Sequence, residues 1–153
     1  MLRAVSNNWL RWEFTIFDAE TVIATIDLHG PGGAGQVYIG PKFYQVAREA
    51  TFDGDFLLKC GDVILARAEQ PDAFVRSLTV QDQNKHYILE ASSVFQRKFV
   101  LREGKQILGS VYPEHAFTRK TIIDLPPQMA LLIRVFLTSV VLLLWKQAVD
   151  DTS

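Results

Sequence analysis

The sequence predicts a mainly β protein, an antiparallel barrel of short strands that encloses one apolar C-terminal helix. Residues 9–124 alternate apolar and polar side chains and are interrupted by Gly, Asp, Asn or Pro at short intervals, a pattern typical of short strands in a meander. Three of the predicted hairpins are related in sequence. The segment 129–145, MALLIRVFLTSVVLLLW, is free of Gly and Pro and is apolar nearly all round, which is typical of a fully buried helix.

The strand boundaries follow from the alternation and from the turn residues. Tight turns are predicted at FDAET, KCGDV and REGKQ, each with Gly or Asp where the backbone reverses. The predicted strands lie near residues 9–17, 21–28, 36–39, 43–50, 55–60, 63–70, 74–81, 86–93, 97–103, 106–112 and 116–124. With 153 residues, they and the helix are expected to form one domain, residues 1–153.

Three predicted hairpins are versions of one another, at offsets of 42 and 43 residues: FTIFDAETVIA (14–24), FLLKCGDVILA (56–66) and FVLREGKQILG (99–109). At the second offset the match extends backwards to Tyr44 with Tyr87, and forwards to residues 73–76 with 116–119. The repeating unit is therefore a hairpin and about two further strands. The third unit stops before its last strand, where the apolar segment begins.

The repeat also predicts which side chains point into the barrel. Phe56 and Leu58 are two residues apart, as are Phe99 and Leu101 in the next unit, so each pair lies on one face of its strand. Leu65 and Leu108 are expected to join these pairs across their turns. The inner face of each hairpin would then be aliphatic and aromatic.

The C-terminal helix is predicted from about 127 to 148, because Pro126 and Pro127 end the strand region. One environment for it is lipid: seventeen residues span about 25 Å, the lower limit of a bilayer, and Arg134 would cost about 2.5–3.5 kcal/mol there. The other is the barrel, where a helix about 10 Å wide fits the lumen. The barrel interior is favoured, and Arg134 is then expected to bond a carboxylate or strand-end carbonyl groups.

Composition excludes several functional classes. The net charge of −1, with 48% hydrophobic and 22% charged residues, provides no global field that attracts nucleic acid, so no nucleic-acid partner is predicted. A single cysteine, Cys60, excludes an internal disulfide, and the N-terminal residues lack the pattern of a secretory signal. A cytoplasmic location is the simplest interpretation.

Part of the chain resembles a known family. The segment YILEASSVFQRKFVLREGKQILGSVYPEHAFTRKTIIDLP (87–126), followed by the apolar helix ending in LLLWKQ, is similar to the C-terminal half of the scramblase-like and LURP-one-related proteins. These proteins have the tubby C-terminal fold, a barrel of about twelve antiparallel strands that encloses a hydrophobic C-terminal helix. The resemblance covers residues 86–147 well, and the N-terminal half more loosely through the repeat.

The resemblance also implies functions. Tubby proteins bind phosphoinositide head groups through basic residues on the barrel, and scramblases are associated with membranes and calcium. Here the segment before the helix, TRKTIIDLP, holds one carboxylate, that of Asp124, and a cysteine-rich acylation run is missing. Calcium and palmitate are therefore not transferred to this chain, and no cofactor is predicted.

A basic cluster is the candidate ligand-binding site. Its members lie on the hairpin near residues 97–112 and the strand after it: Arg97, Lys98, Arg102, Lys105, Arg119 and Lys120. Outward-facing cations on these strands would suit a phospholipid head group or an acidic protein. The alternative interpretation is a solvated outer face that keeps the barrel soluble and discourages edge pairing.

Two sequence features suggest an enzyme or a metal site, but the sequence around them lacks the structure or the spacing that such sites require. GPGGAG (30–35) has the glycine spacing of a dinucleotide fingerprint, but QVYIG after it predicts a strand where that motif requires a helix. The loop could still contact a ligand. His29, His86, His115 and Cys60 are too far apart in sequence to form a close metal-ligand pair. Catalytic residues and metal ligands are therefore not predicted.

The functional prediction is a non-enzymatic binding or scaffold module of the tubby and scramblase-like group, cytoplasmic and peripheral to a membrane. Its expected partners are anionic phospholipid or a protein, bound through the basic hairpin. One alternative is a tail-anchored membrane protein in which residues 129–145 span the bilayer. A further alternative is an enzyme without a recognisable motif.

Overall fold

The fold consists of twelve strands and one helix. A computed structural model describes residues 1–8, 11–30, 34–49, 54–70, 77–92, 97–115, 118 and 120–152. The strands are β1 (Leu2–Asn8), β2 (Glu13–Asp18), β3 (Thr21–Asp27), β4 (Gly35–Ile39), β5 (Lys42–Arg48), β6 (Phe56–Cys60), β7 (Val63–Glu69), β8 (Ser77–Asp82), β9 (Lys85–Ala91), β10 (Phe99–Glu103), β11 (Gln106–Pro113) and β12 (Thr121–Asp124), and the helix is α1 (Leu131–Thr152).

The strands form a closed antiparallel barrel, which confirms the predicted fold class. Each strand pairs with its sequence neighbours, and β1 pairs with β12 to complete the circle. In the closing pair, Leu2 lies opposite Ile123 and Ala4 lies opposite Thr121. Strand β1 is absent from the eleven strands predicted from alternation. Its burial alternates only over the first residues, Leu2 and Ala4, so a short pattern at the chain end escapes a periodicity test.

The three related hairpins share the same backbone irregularities, which confirms this part of the repeat. Each has a register shift at the equivalent place: after Ile16 in β2, after Leu58 in β6 and after Leu101 in β10. Each also has a positive φ at the first turn residue, 54° at Ala19, 60° at Gly61 and 57° at Gly104. The forward extension over 73–76 and 116–119 lies, apart from Thr118, outside the described residues.

The register shift corrects the prediction that Leu65 joins the inner face, whereas the same prediction for Leu108 is confirmed in part. Because each bulge inserts one extra residue, the returning strand beyond the bulge has the opposite face inward from the one that simple alternation across the turn predicts. Leu65 is 37% exposed, and Leu108 is partly buried against the core. The residues that lie opposite Leu58 and Leu101 are the small Ala66 and Gly109.

Strand β1 supplies the strand that the third unit lacks. In the first unit the last strand places Val46 opposite Leu58, and in the second it places Leu89 opposite Leu101. In β1, Ala4 lies opposite Ile16, which is the position in the first hairpin equivalent to Leu58 and Leu101. The third unit is therefore completed by the N-terminal end of the chain, and the barrel has an approximate threefold repeat.

Helix α1 lies inside the barrel. Eight consecutive residues, 135–142, are each 0% exposed, so two turns of the helix are covered on every side. This is possible only if the strands surround it, since a helix on an outer surface keeps an exposed stripe. By length and composition, Leu131–Val149 is also apolar enough to cross a membrane, and 67% of that window is buried in the protein.

The helix begins four residues later than predicted and ends four residues later, at Thr152. A proline restricts the residue before it to extended conformations, so Pro126 cannot belong to the helix. A turn follows instead, closed by the hydrogen bond from Met129 N to Pro126 O (3.0 Å). Arg134 Nε donates to Met129 O at 3.0 Å. The predicted carbonyl partner is therefore present, but it belongs to this turn and not to a strand end, and Arg134 is only half-buried.

Candidate functional site

The two ends of the barrel differ. Because the strands alternate in direction, the two-residue turns after β2, β4, β6, β8 and β10 all lie at the end where the chain enters α1. We call these five hairpin tips, residues 17–22, 38–43, 59–64, 82–86 and 102–107, the turn rim. The longer connections and the C-terminal end of α1 lie at the opposite end, which we call the loop end.

The structure does not bring the predicted bases together at one place. Arg102 and Lys105 lie on the turn rim, whereas Arg97, Lys98 and Lys120 lie beyond the other ends of β10 and β12, at the loop end. Along β10, Lys98 and Arg102 are four residues apart, roughly 13 Å at the rise of a β-strand. Arg119 lies outside the described residues.

Arg97 is part of the packing between barrel and helix. Its Nη2 atom donates to His115 O and Thr118 O, both at 3.2 Å, and its guanidinium carbon lies 5.2 Å from the centre of the Trp145 ring. Trp145 Nε1 in turn donates to Arg97 O at 2.9 Å. Burial lowers the pKa of Arg97. These contacts fasten α1 and the β11–β12 connection to the barrel, so Arg97 has a structural role.

The other bases differ in their partners. Arg102 donates to Glu90 Oε1 and to Gly104 O, each at 2.8 Å, and the bond to Glu90 raises the pKa of Arg102. Lys98 Nζ lies 5.3 Å from the centre of the Tyr112 ring. Within the described part of the chain, the exposed side chains of Lys105 and Lys120 form no ion pair. They are the bases most available to a ligand.

The turn rim carries exposed apolar side chains that the sequence analysis missed. Val22 (55% exposed), Ile64 (47%) and Ile107 (69%) occupy equivalent positions in the three related hairpins. Each lies between the turn and the register shift, opposite a residue that is not on the inner face: Val22 opposite Phe17, Ile64 opposite Lys59 and Ile107 opposite Arg102. The signal in the sequence was that each repeated segment has at least two successive aliphatic residues after its turn, which alternation cannot all bury.

The rim also combines these apolar groups with both signs of charge. Its further exposed apolar side chains are Tyr38, Phe43 and Val63. Its basic residues are Lys42, Lys59, Lys85, Arg102 and Lys105, and its acidic residues are Asp18, Glu20, Asp62, Asp82 and Glu103. Because the formal charges balance, electrostatic attraction alone would hold this end weakly on an anionic surface.

The loop end is fixed by arginine networks that sequence reasoning also missed. Arg48 donates to Gln147 Oε1 on α1 at 2.8 Å and to Gln70 Oε1 at 2.6 Å. Arg67 bonds Glu49 at 2.6 Å and Asp55 at 2.7 Å, which raises the pKa of Arg67. Such pairs depend on contacts between residues distant in sequence, so local patterns do not reveal them.

Two surface cavities accompany these features. One of about 290 Å³ is lined at the loop end by Asp27, His29 and the described ends of the GPGGAG loop, and β4 follows that loop directly, as predicted. Another of about 340 Å³ lies between β7 and β8 beside Ile64. Among the described residues, Glu13, Asp27 and His29 form a group with the spacing of metal ligands.

Comparisons of the chain with protein-family models, curated proteins and solved structures found no match. The resemblance to the tubby and scramblase-like group therefore stays a prediction about family. The architecture that the resemblance implies, a twelve-stranded barrel around an apolar helix, is the architecture of the structure.

Proposed function

We propose that this protein is a non-enzymatic binding module of the tubby and scramblase-like kind, which docks on anionic phospholipid surfaces through the tip of its basic hairpin. The observation that carries the proposal is at that tip: Ile107, 69% exposed, lies two residues from the exposed Lys105. An aliphatic side chain can enter the acyl boundary while a neighbouring ammonium group contacts lipid phosphate.

The rest of the turn rim supports the same mode of binding. The exposed Phe43 follows Lys42, and the exposed Ile64, next to the exposed Val63, lies across its hairpin from Lys59. Several hairpins at one end of the barrel can therefore contact a flat surface together. The filled interior supports a surface function as well, because α1 occupies the space in which a barrel of this width would hold a ligand.

The test is co-sedimentation with vesicles of phosphatidylcholine, with and without phosphatidylserine or a phosphoinositide. A lysine near an anionic surface contributes about 1 kcal/mol, and burial of an aliphatic side chain contributes about 1.5 kcal/mol or more. The double variant Lys105→Gln, Ile107→Ser is therefore expected to bind anionic vesicles at least about tenfold more weakly. Binding should decrease with salt but not vanish, since part of it is apolar.

The matched control is Lys120→Gln, which removes one positive charge at the loop end and should leave vesicle binding unchanged. Arg97 and Arg102 are unsuitable for neutralisation because both form bonds within the barrel. Equal binding by the wild-type protein and the tip variant would contradict the proposal. So would the absence of binding to anionic vesicles at low salt, the result expected if the rim contacts a protein instead.

A further inference from the structure

The hairpin β2–β3 places two carboxylates face to face at the loop end. Glu13 is the first residue of β2, Asp27 is the last residue of β3, and the two are direct cross-strand partners. His29 follows two residues after Asp27, and its Nδ1 contacts Asp27 Oδ1. The ligand atoms of all three side chains lie within 4.8 Å of one another.

This pairing sets two carboxylates against each other, with Arg11 beside Glu13 and His29 beside Asp27. Like charges directly opposite each other on neighbouring strands destabilise a sheet, and the side chains of Glu13 and Asp27 are each only 26% exposed. Arg11 approaches Glu13 at 3.4 Å, but the Arg11 side chain is 65% exposed, and exposed ion pairs contribute little. A divalent cation shared by both carboxylates would remove the repulsion.

The backbone holds the three side chains in place. Leu28 N donates to Trp12 O at 2.7 Å, which extends the β2–β3 ladder past Asp27. His29 N donates to Asp27 Oδ1 at 3.2 Å, which orients this carboxylate. A Cβ at Gly35 would lie 2.9 Å from Asp27 O, so glycine allows β4 to approach closely. Binding a metal therefore requires little ordering of the backbone.

The cavity beside the group gives it access to solvent. Asp27 and His29 line the space of about 290 Å³, together with Gly30, Ala34 and Gln36. A cation held by three protein groups on one side could complete its coordination with water on this side. An imidazole with carboxylates suits zinc and related transition metals better than Mg²⁺ or Ca²⁺, which prefer oxygen ligands alone.

We infer that Glu13, Asp27 and His29 form a surface site for one divalent transition-metal ion of the zinc class. The sequence analysis missed this site because it considered only the spacing of histidines and cysteine, whereas two of the three ligands are carboxylates. The pairing of β2 with β3 brings these carboxylates together. The described ends of the GPGGAG loop, Gly30, Ala34 and Gly35, line the cavity beside the site. This site is at the opposite end of the barrel from the proposed lipid-binding tip.

Titration calorimetry with ZnCl₂ tests the inference, in a Cys60→Ser background because the exposed thiol of Cys60 also binds zinc. One saturable site is expected, and His29→Asn should weaken it at least about tenfold. Amide chemical shifts of residues 13 and 27–29 should change with zinc. Because His29 is exposed, this variant should unfold at the same temperature as its parent without metal.

The histidine controls are His86→Asn and His115→Asn, which should bind zinc like the parent. Glu13→Gln provides a readout of opposite sign: it should raise the unfolding temperature without metal, since it removes the repulsion, and lose the increase that zinc produces. No saturable binding, equal affinity after His29→Asn, or equal loss in the two control variants would each overturn the inference.

Discussion

Replacing Ala19 by glycine is expected to stabilise this protein, although alanine-to-glycine changes usually destabilise. Ala19 is the first turn residue between β2 and β3 and has a φ of 54°, in the left-handed region that L-residues rarely adopt. The equivalent residues of the related hairpins are Gly61 and Gly104, with φ of 60° and 57°. The repeat therefore contains a natural comparison of alanine with glycine in one backbone conformation.

The magnitude follows from two opposing terms. A residue with a Cβ loses roughly 1–2 kcal/mol in the left-handed region, while glycine loses about 0.4–1 kcal/mol because it has more freedom in the unfolded chain. Ala19→Gly should therefore add about 0.5–1 kcal/mol to the free energy of unfolding. Gly61→Ala and Gly104→Ala should lower the free energy of unfolding by a similar amount. A Cβ at either glycine meets nothing within 4 Å, so the unfavourable φ is the only term that changes in the folded state.

Urea unfolding followed by circular dichroism is the assay, with the midpoint compared at a constant slope. The corresponding change in unfolding temperature is about 1–4 °C for a chain of this length. A lower free energy of unfolding for Ala19→Gly, or a higher one for either glycine-to-alanine variant, would refute the argument from φ. The exposed positions of these turns mean that lost packing cannot produce the same signs.

Three further changes test the closure of the barrel and its core. Gly109→Ala should lower the free energy of unfolding by about 3 kcal/mol or more, because its Cβ would lie 2.0 Å from Asp124 O; stability close to the wild type in urea would contradict this. Trp145→Phe should cost about 1–3 kcal/mol, since it removes the buried hydrogen bond from Trp145 Nε1 to Arg97 O, and an unchanged midpoint in urea would contradict the role of this bond. Deleting residues 1–8 should abolish cooperative unfolding, because β1 pairs with both β2 and β12; gel filtration of a stable monomer would refute it. The full chain should be monodisperse without detergent, and a requirement for detergent would favour the membrane-spanning alternative.

Much of the fold could be predicted from local patterns. Alternation, turn residues and the hairpin repeat place eleven strands near their observed positions, since each signal depends on residues close together in sequence. The predicted partner of Arg134 was correct in kind, a carbonyl group, but wrong in location. The predicted start of α1 was residue 127, but the helix begins at Leu131 because a turn follows the two prolines.

The candidate site could be predicted less well. Of the bases selected from the sequence, Arg97 packs on Trp145 and Arg102 pairs with Glu90, whereas Lys105 remains exposed. Sequence shows which residues are cationic, but not which cations already have partners. Nor did the sequence analysis single out Ile107 beside Lys105, although the pairing of Ile107 with Arg102 across the turn places it on the outer face.

The sequence by itself determined the type of protein: a strand meander with repeated hairpins, and a helix too apolar to lie on a surface. Only the tertiary structure decided that this helix is the core, that β1 completes the third unit, and that Glu13 faces Asp27 next to His29. Local conformation depends on neighbouring residues. The closure of a barrel and the sites it creates depend on pairing between residues such as Leu2 and Ile123, which only the register of the whole sheet brings together.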